Sequence, residues 1–218
     1  MTSRILHSLL TLSIFAGAGW GALTQPVAAV TAEELSTWAA GPAQWLLLAD
    51  ERKELRKILE KDDESDFIER FWARRDPQPE AAGNAYRDLL TKRFADADAL
   101  YRDEAVRGSL TDRGRALILL GPPTHISVAP RPALAWESGD KGGHRVTTRQ
   151  VSVEMWGYRA EDLPVGFLEI WKETKKASES TLNLTLRFRA EPNRTVLIEG
   201  ESLLEVAARA AVWRPEDD

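Results

Sequence analysis

The apolar residues of this chain change their period once, near Gly108, and that change restricts the fold more than any other feature. Before it they recur every three or four residues, as on a helix with one buried face; after it they alternate with polar residues, as on a half-buried strand. Thr31 followed by Glu34 forms a capping pair that opens a helix through Leu35 and Trp38, stopped by Gly41 and Pro42. From Ala43 to about Lys61, Leu48, Leu55, Ile58 and Leu59 keep helical spacing, with Glu54 and Lys57 or Arg56 and Glu60 paired along the wet face. Asp66 precedes Glu69 by three residues, and Phe67, Ile68, Phe71 and Trp72 fall on one stripe until Pro77 and Pro79 forbid continuation. Asn84 caps a longer helix carrying Tyr86, Leu89, Leu90, Phe94, Ala97, Leu100 and Tyr101.

Beyond Gly108, the apolar run Ala116 to Leu120 lies between Gly114 and Gly121-Pro122-Pro123 and reads as a buried strand entering a rigid turn. A second strand is expected over Thr124 to Val128. Pro130 to about Thr148, rich in Pro, Gly and charge, reads as disorder ahead of a functional lid. Val151, Val153 and Met155, then Leu168 and Ile170, then Leu182, Leu184, Leu186 and Phe188 each alternate with other residues and predict strands; Thr195 to Ile198 adds an edge strand. Leu203 to Trp213 predicts an Ala-rich terminal helix whose apolar residues, spread over several faces, would suit docking on a partner. Helices first and consecutive strands later predict an α+β fold: three to four N-terminal helices packed on an antiparallel sheet, closed by a C-terminal helix.

The first residues place the chain in the cell. Arg4 precedes an apolar stretch from Ile5 to Ala18, and Val27-Ala28-Ala29 offers small side chains to a signal peptidase, so residues 1–29 read as an export signal cut before Val30. An uncleaved anchor over Ile5 to Leu23 is the competing reading. Either puts the folded part outside the cytoplasm, periplasmic or secreted, and no second long apolar run predicts a further span. The net charge of −5 gives no basic footprint for nucleic acid. With no cysteine in the chain, disulfides, thiolate metal sites and catalytic thiols are excluded. His125 and His144 lack metal-ligand spacing, and neither a phosphate loop nor a serine elbow occurs, so no cofactor or metal is expected.

Three clusters carry a resemblance. They are Phe71-Trp72-Ala73-Arg74-Arg75-Asp76-Pro77-Gln78-Pro79; Gly108-Ser109-Leu110-Thr111-Asp112-Arg113-Gly114-Arg115 running into Ile118-Leu119-Leu120-Gly121-Pro122-Pro123; and Glu154-Met155-Trp156-Gly157-Tyr158. In order and spacing they resemble the GWxTD domain family, exported bacterial proteins with no established activity. The resemblance covers about Asp66 to Trp171 and includes Asn84, Arg87 and Arg93. The tryptophan that follows the first glycine of the naming motif is Ser109 here. The implied division is a signal over 1–29, a helical region over 30–64, a GWxTD-like core over 65–175, and terminal strands and a helix over 176–218 that complete the same domain.

Read from the residues, Thr111 and Asp112 are turn and cap formers, and Thr111 to Gly114 is explained as a tight turn feeding a strand. The functional alternative gathers Asp112, Arg113 and Arg115, assisted by Glu154, in a cleft as an anion site or a carboxylate that activates water, which would make an extracytoplasmic hydrolase or transferase. Arg74, Arg75 and Asp76 with Asn84, Arg87 and Arg93 suit an internal polar network, and equally suit capture of a carboxylate, a phosphate or a sugar. Trp156, Tyr158, Trp136 and Trp171 are expected in a core, or else stacked on sugar rings as in a carbohydrate-binding module. Glu154 and Glu169 on neighbouring strands would offer a glycosidase-like pair. The first expectation is a non-catalytic binding or assembly module of the cell envelope, its partner an envelope protein or a saccharide.

Overall fold

In a computed structural model the chain is described over residues 29–102, 105–138, 144–174 and 184–214, with the backbone alone over 135–138 and 144–145. The signal expected over 1–29 lies almost wholly outside these residues, as do Leu182, Asn183 and the side chains of Trp136 and His144. Among the described residues no helix is long and apolar enough to cross a membrane.

The fold is α+β; the described residues form seven α-helices and one four-stranded antiparallel sheet. The helices are α1 (Ala32–Ala39), α2 (Ala49–Lys61), α3 (Phe67–Ala73), α4 (Ala85–Leu100), α5 (Asp112–Leu120), α6 (Phe167–Thr174) and α7 (Glu201–Ala210); the strands are β1 (His125–Ser138), β2 (His144–Gly157), β3 (Thr185–Glu191) and β4 (Arg194–Glu199), paired in that order. α1 begins as its sequence dictates: the Thr31 hydroxyl accepts from the Glu34 amide at 3.2 Å and Glu34 accepts from the Thr31 amide at 2.9 Å. The single helix expected from Ala43 to Lys61 is broken at Leu47 and Leu48 into a 3-10 turn over Pro42–Leu46 and α2. Glu51 restarts the backbone by accepting from the Leu48 amide at 2.8 Å.

Three expectations fail for identifiable reasons. Ala116 to Leu120 is the buried end of α5, not a strand. Thr111 caps it, accepting from the Gly114 amide at 3.0 Å, and because every residue from Ala116 to Leu120 is buried the run shows no polar stripe to mark it as helical. Leu168 to Ile170 belongs to α6, where Phe167 and Ile170 share the buried face; over so short a window helical and alternating spacing coincide. Pro130 to Ser138 and His144 to Thr148 form a long hairpin in register from His125↔Gly157 to Ser138↔His144. Pro130 and Pro132 fall two apart on the edge strand, so both missing amides face one side and interrupt no central ladder.

One face of the sheet supplies the core. Trp156 pairs with Leu186, and Phe188 stands opposite Glu154. Trp156, Leu186 and Phe188 are buried together with Ile118, Leu120, Leu203 and Leu204. α7 therefore docks on its own fold, burying Leu203, Leu204, Val206, Ala207 and Ala210, and is not the free partner-docking helix its sequence suits.

Candidate functional site

The turn before α5 is built around two glycines that admit no side chain. A Cβ on Gly108 would lie 2.2 Å from the Ala97 carbonyl oxygen of α4, and one on Gly114 would lie 2.0 Å from the Gly108 oxygen. Thr111, buried, donates to that same Gly108 oxygen at 2.8 Å while capping α5. Gly114 is required by close approach within a helix, not by the turn conformation expected of it. Ser109 is fully buried; its amide donates to Asp98 at 2.7 Å and its carbonyl accepts from the Trp45 indole at 2.9 Å.

The charged residues that follow leave in different directions. Asp112 accepts from the Leu197 amide of β4 at 2.7 Å. Arg113 lies 4.6 Å over the Tyr101 ring and 3.6 Å from Glu154, whose other oxygen accepts from the Trp156 indole. Arg115 pairs with Glu201 of α7 at 2.6 Å and stacks 5.3 Å over Trp45. The set proposed as a catalytic cleft is thus spent fastening α5 to β4, β2 and α7. Glu169 stands exposed on α6, on a different element type from Glu154, so the expected pair of neighbouring strand carboxylates is not formed.

The second set also divides. Arg75, with no exposed side-chain surface, grips both oxygens of Glu51 at 2.8 Å, donates to the Leu46 and Phe71 carbonyls, and lies 3.6 Å over the Phe71 ring. Arg74 reaches Asp50 at 2.9 Å and Glu51 at 3.3 Å. Asp76 caps its own turn by accepting from the Gln78 amide at 3.0 Å. Asn84 caps α4 and donates to the Trp72 carbonyl at 2.8 Å, while Arg87 lies 5.7 Å from the Trp72 ring centre. Trp156 and Tyr158 are buried, which removes both from any exposed stacking row.

Arg93 differs from all of these. It donates to the Ile118 carbonyl at the end of α5 at 2.8 Å, and among the described residues no carboxylate pairs with it. Gly121, at φ +86°, lets the guanidinium sit against the turn; a Cβ there would be 2.7 Å from Arg93 Nη2. Burial pushes the Arg93 pKa down, against the pull of Tyr86 and Tyr158. Burial likewise raises both tyrosines, Arg75 and Arg93 opposing it at Tyr86.

Arg93 lines a cavity of about 440 Å³ together with Arg75, Tyr86, Asp162, Trp213 and Arg214, walled further by Pro77, Leu89, Leu163, Pro164 and Val165. That volume is in the range of small-molecule sites, roughly 300–1,000 Å³. Sequence reasoning singled out Arg75 and Arg93 but not Tyr86, Trp213 or Arg214 as site residues. Tyr86 was accessible to it, being two turns before Arg93 on one helix face; Arg214 reaches the cavity only through the fold, by donating to the Arg74 and Asp76 carbonyls at 3.0 and 2.7 Å. Other open hollows lie on the outer sheet face between Arg131, Val151 and Arg187, with about 460 Å³, between α2 and α3 at Asp50, Glu54 and Arg70, and around Thr124, His125 and Arg159. Among the described residues no group of three or more His, Asp or Glu is placed to hold a metal ion. No protein-family model, no curated protein and no solved structure matches the chain.

Proposed function

We propose that the chain is an exported, non-catalytic binding module of the bacterial cell envelope, of the GWxTD type, and that its ligand enters the cavity of Arg93. The single observation that carries this reading is a contrast in charge compensation. Asp112, Arg113 and Arg115 are each taken up by a separate structural partner, whereas Arg93 stands half-buried in a partly apolar cavity and, among the described residues, pairs with no carboxylate. A half-buried cation without a counter-charge costs free energy that a bound anion returns. The export signal supplies the location, and the three motif clusters supply the family.

Two measurements test the reading. N-terminal sequencing of protein recovered from envelope or medium fractions is expected to begin at Val30; a chain beginning at Met1 in the cytoplasm contradicts export. Thermal unfolding of the full chain against carboxylates, phosphates and uronic acids is expected to find a compound that raises Tm in wild type, is recovered unchanged, and loses its effect in Arg93→Met. A compound consumed at a rate that collapses in a folded Asp112→Asn variant would return the chain to the hydrolase or transferase class.

A further inference from the structure

Resting on the reading of this cavity as the binding site, we infer that its ligand is a small amphipathic carboxylate: one carboxyl group seated against Arg93 and an unbranched apolar body lying along Leu89, Val165 and Trp213. The charge argument comes first. Of the ionisable groups around the cavity, Arg75 is answered on both nitrogens by Glu51, and Asp162 is answered by Arg159 at 2.9 Å and by the Thr124 hydroxyl at 2.8 Å. That leaves Arg93 and Arg214 as cations whose hydrogen bonds, among the described residues, go to backbone carbonyls. A guanidinium has five N–H donors in a planar fork, and Arg93 spends one of them on Ile118. A carboxylate presents two oxygens that match such a fork side by side, as a phosphate does, but it does so with a single charge and on a smaller headgroup.

The second argument is the apolar part of the lining. Leu89 and Val165 are 43% and 81% exposed, both large apolar residues left uncovered at the cavity, and Leu163, Pro164 and Trp213 continue the same surface. Trp213 is held against the backbone of Gly166, where φ is +79° and a Cβ would fall 2.3 Å from the indole. The glycine therefore fixes the indole as a flat side of the cavity. A wholly polar anion such as inorganic phosphate would satisfy Arg93 and leave this wall wet; a neutral hydrocarbon would cover the wall and leave Arg93 uncompensated. Only a molecule with both parts uses both. The contact to the Ile118 carbonyl accounts for the position of Arg93, but not for the exposed apolar residues that line the same cavity.

Calorimetric titration of the full chain with octanoate, octan-1-ol, acetate and inorganic phosphate separates these parts. Octanoate is expected to bind at least about tenfold more tightly than each of the other three, and Arg93→Met to abolish that advantage. Val165→Glu, placed at a largely exposed rim where the fold tolerates it, is expected to weaken octanoate and octan-1-ol alike, each at least about threefold, because both lay their apolar body along Val165. Octanoate and octan-1-ol binding equally, or phosphate binding best, overturns the amphipathic carboxylate while leaving a binding cavity in place. If none of the four binds, the amphipathic carboxylate is overturned, and the reading of the cavity as a ligand site then stands or falls on the thermal-unfolding panel described above. Octanoate binding unchanged in a folded Arg93→Met would show the ligand to lie elsewhere on the molecule.

Discussion

At the start of α5, Asp112, Arg113 and Arg115 each meet a partner on a different element, whereas at the cavity, among the described residues, Arg93 and Arg214 donate to backbone carbonyls alone. Both regions are rich in arginine and aromatic rings, and both fall in or beside the motif clusters. The difference lies in compensation. A guanidinium answered by a carboxylate on another element fixes how the two elements pack, and removing it strands a charge. One left unanswered beside an apolar wall contributes little to packing and keeps its donors for something else. Residue type and spacing do not distinguish these cases; partner and burial do.

The comparison can be broken most severely at the turn. Gly114→Ala places a Cβ 2.0 Å from the Gly108 oxygen, with backbone on both sides and no room to yield. A loss of about 4 kcal/mol or more, or failure to fold, is expected in urea unfolding. An intermediate effect is expected at Asp98, which joins α4 to this turn by accepting from the Ser109 amide at 2.7 Å and from Arg107. Burial raises its pKa, but the Arg107 and Ser109 hydrogen bonds outweigh that and hold the carboxyl below the ordinary carboxylate value. Its contribution is therefore complete above a pH of about 3.9 and is lost as pH falls through the lower folded-state value. Asp98→Asn is expected to cost about 1 to 3 kcal/mol at neutral pH and to flatten the acid limb of the stability profile. The smallest effect is expected at Ser109, whose buried Oγ, near Asp98, makes no well-formed hydrogen bond among the described residues. Ser109→Ala should leave stability within about 0.5 kcal/mol or raise it slightly. A larger loss would mean that the hydroxyl has a role its surroundings do not reveal.

Much of the fold was legible from local chemistry alone. The caps at Thr31 and Asn84, the stripe from Tyr86 to Tyr101 and the alternation from Leu184 to Phe188 each determine their element from within a few residues. What failed did so where tertiary context decides. Ala116 to Leu120 is buried all round, so it carries no period to read. Phe167 to Ile170 is too short for the two periods to diverge. Pro130 and Pro132 argue against a strand until the strand is known to lie at the sheet edge. The site divides similarly. Arg93 was visible as a member of a cluster, but its distinction from Arg75 was not, because Glu51 reaches Arg75 from 24 residues away. Arg214 joins the cavity from 138 residues beyond Asp76. No spacing rule carries that.

Urea unfolding of Arg75→Met and Arg93→Met in the full chain tests the central claim most directly, because the substitution is the same and only the compensation differs. Arg75→Met removes the two-point partner of the buried Glu51 carboxylate, leaving it the longer contact to half-exposed Arg74 and the Leu48 amide, and is expected to cost about 3 to 5 kcal/mol. Arg93→Met gives up one carbonyl contact and relieves an uncompensated cation, and is expected to stay within about 1 kcal/mol of wild type. Equal and large losses would assign Arg93 to the framework and contradict the account; a stable Arg75→Met would contradict it from the other side.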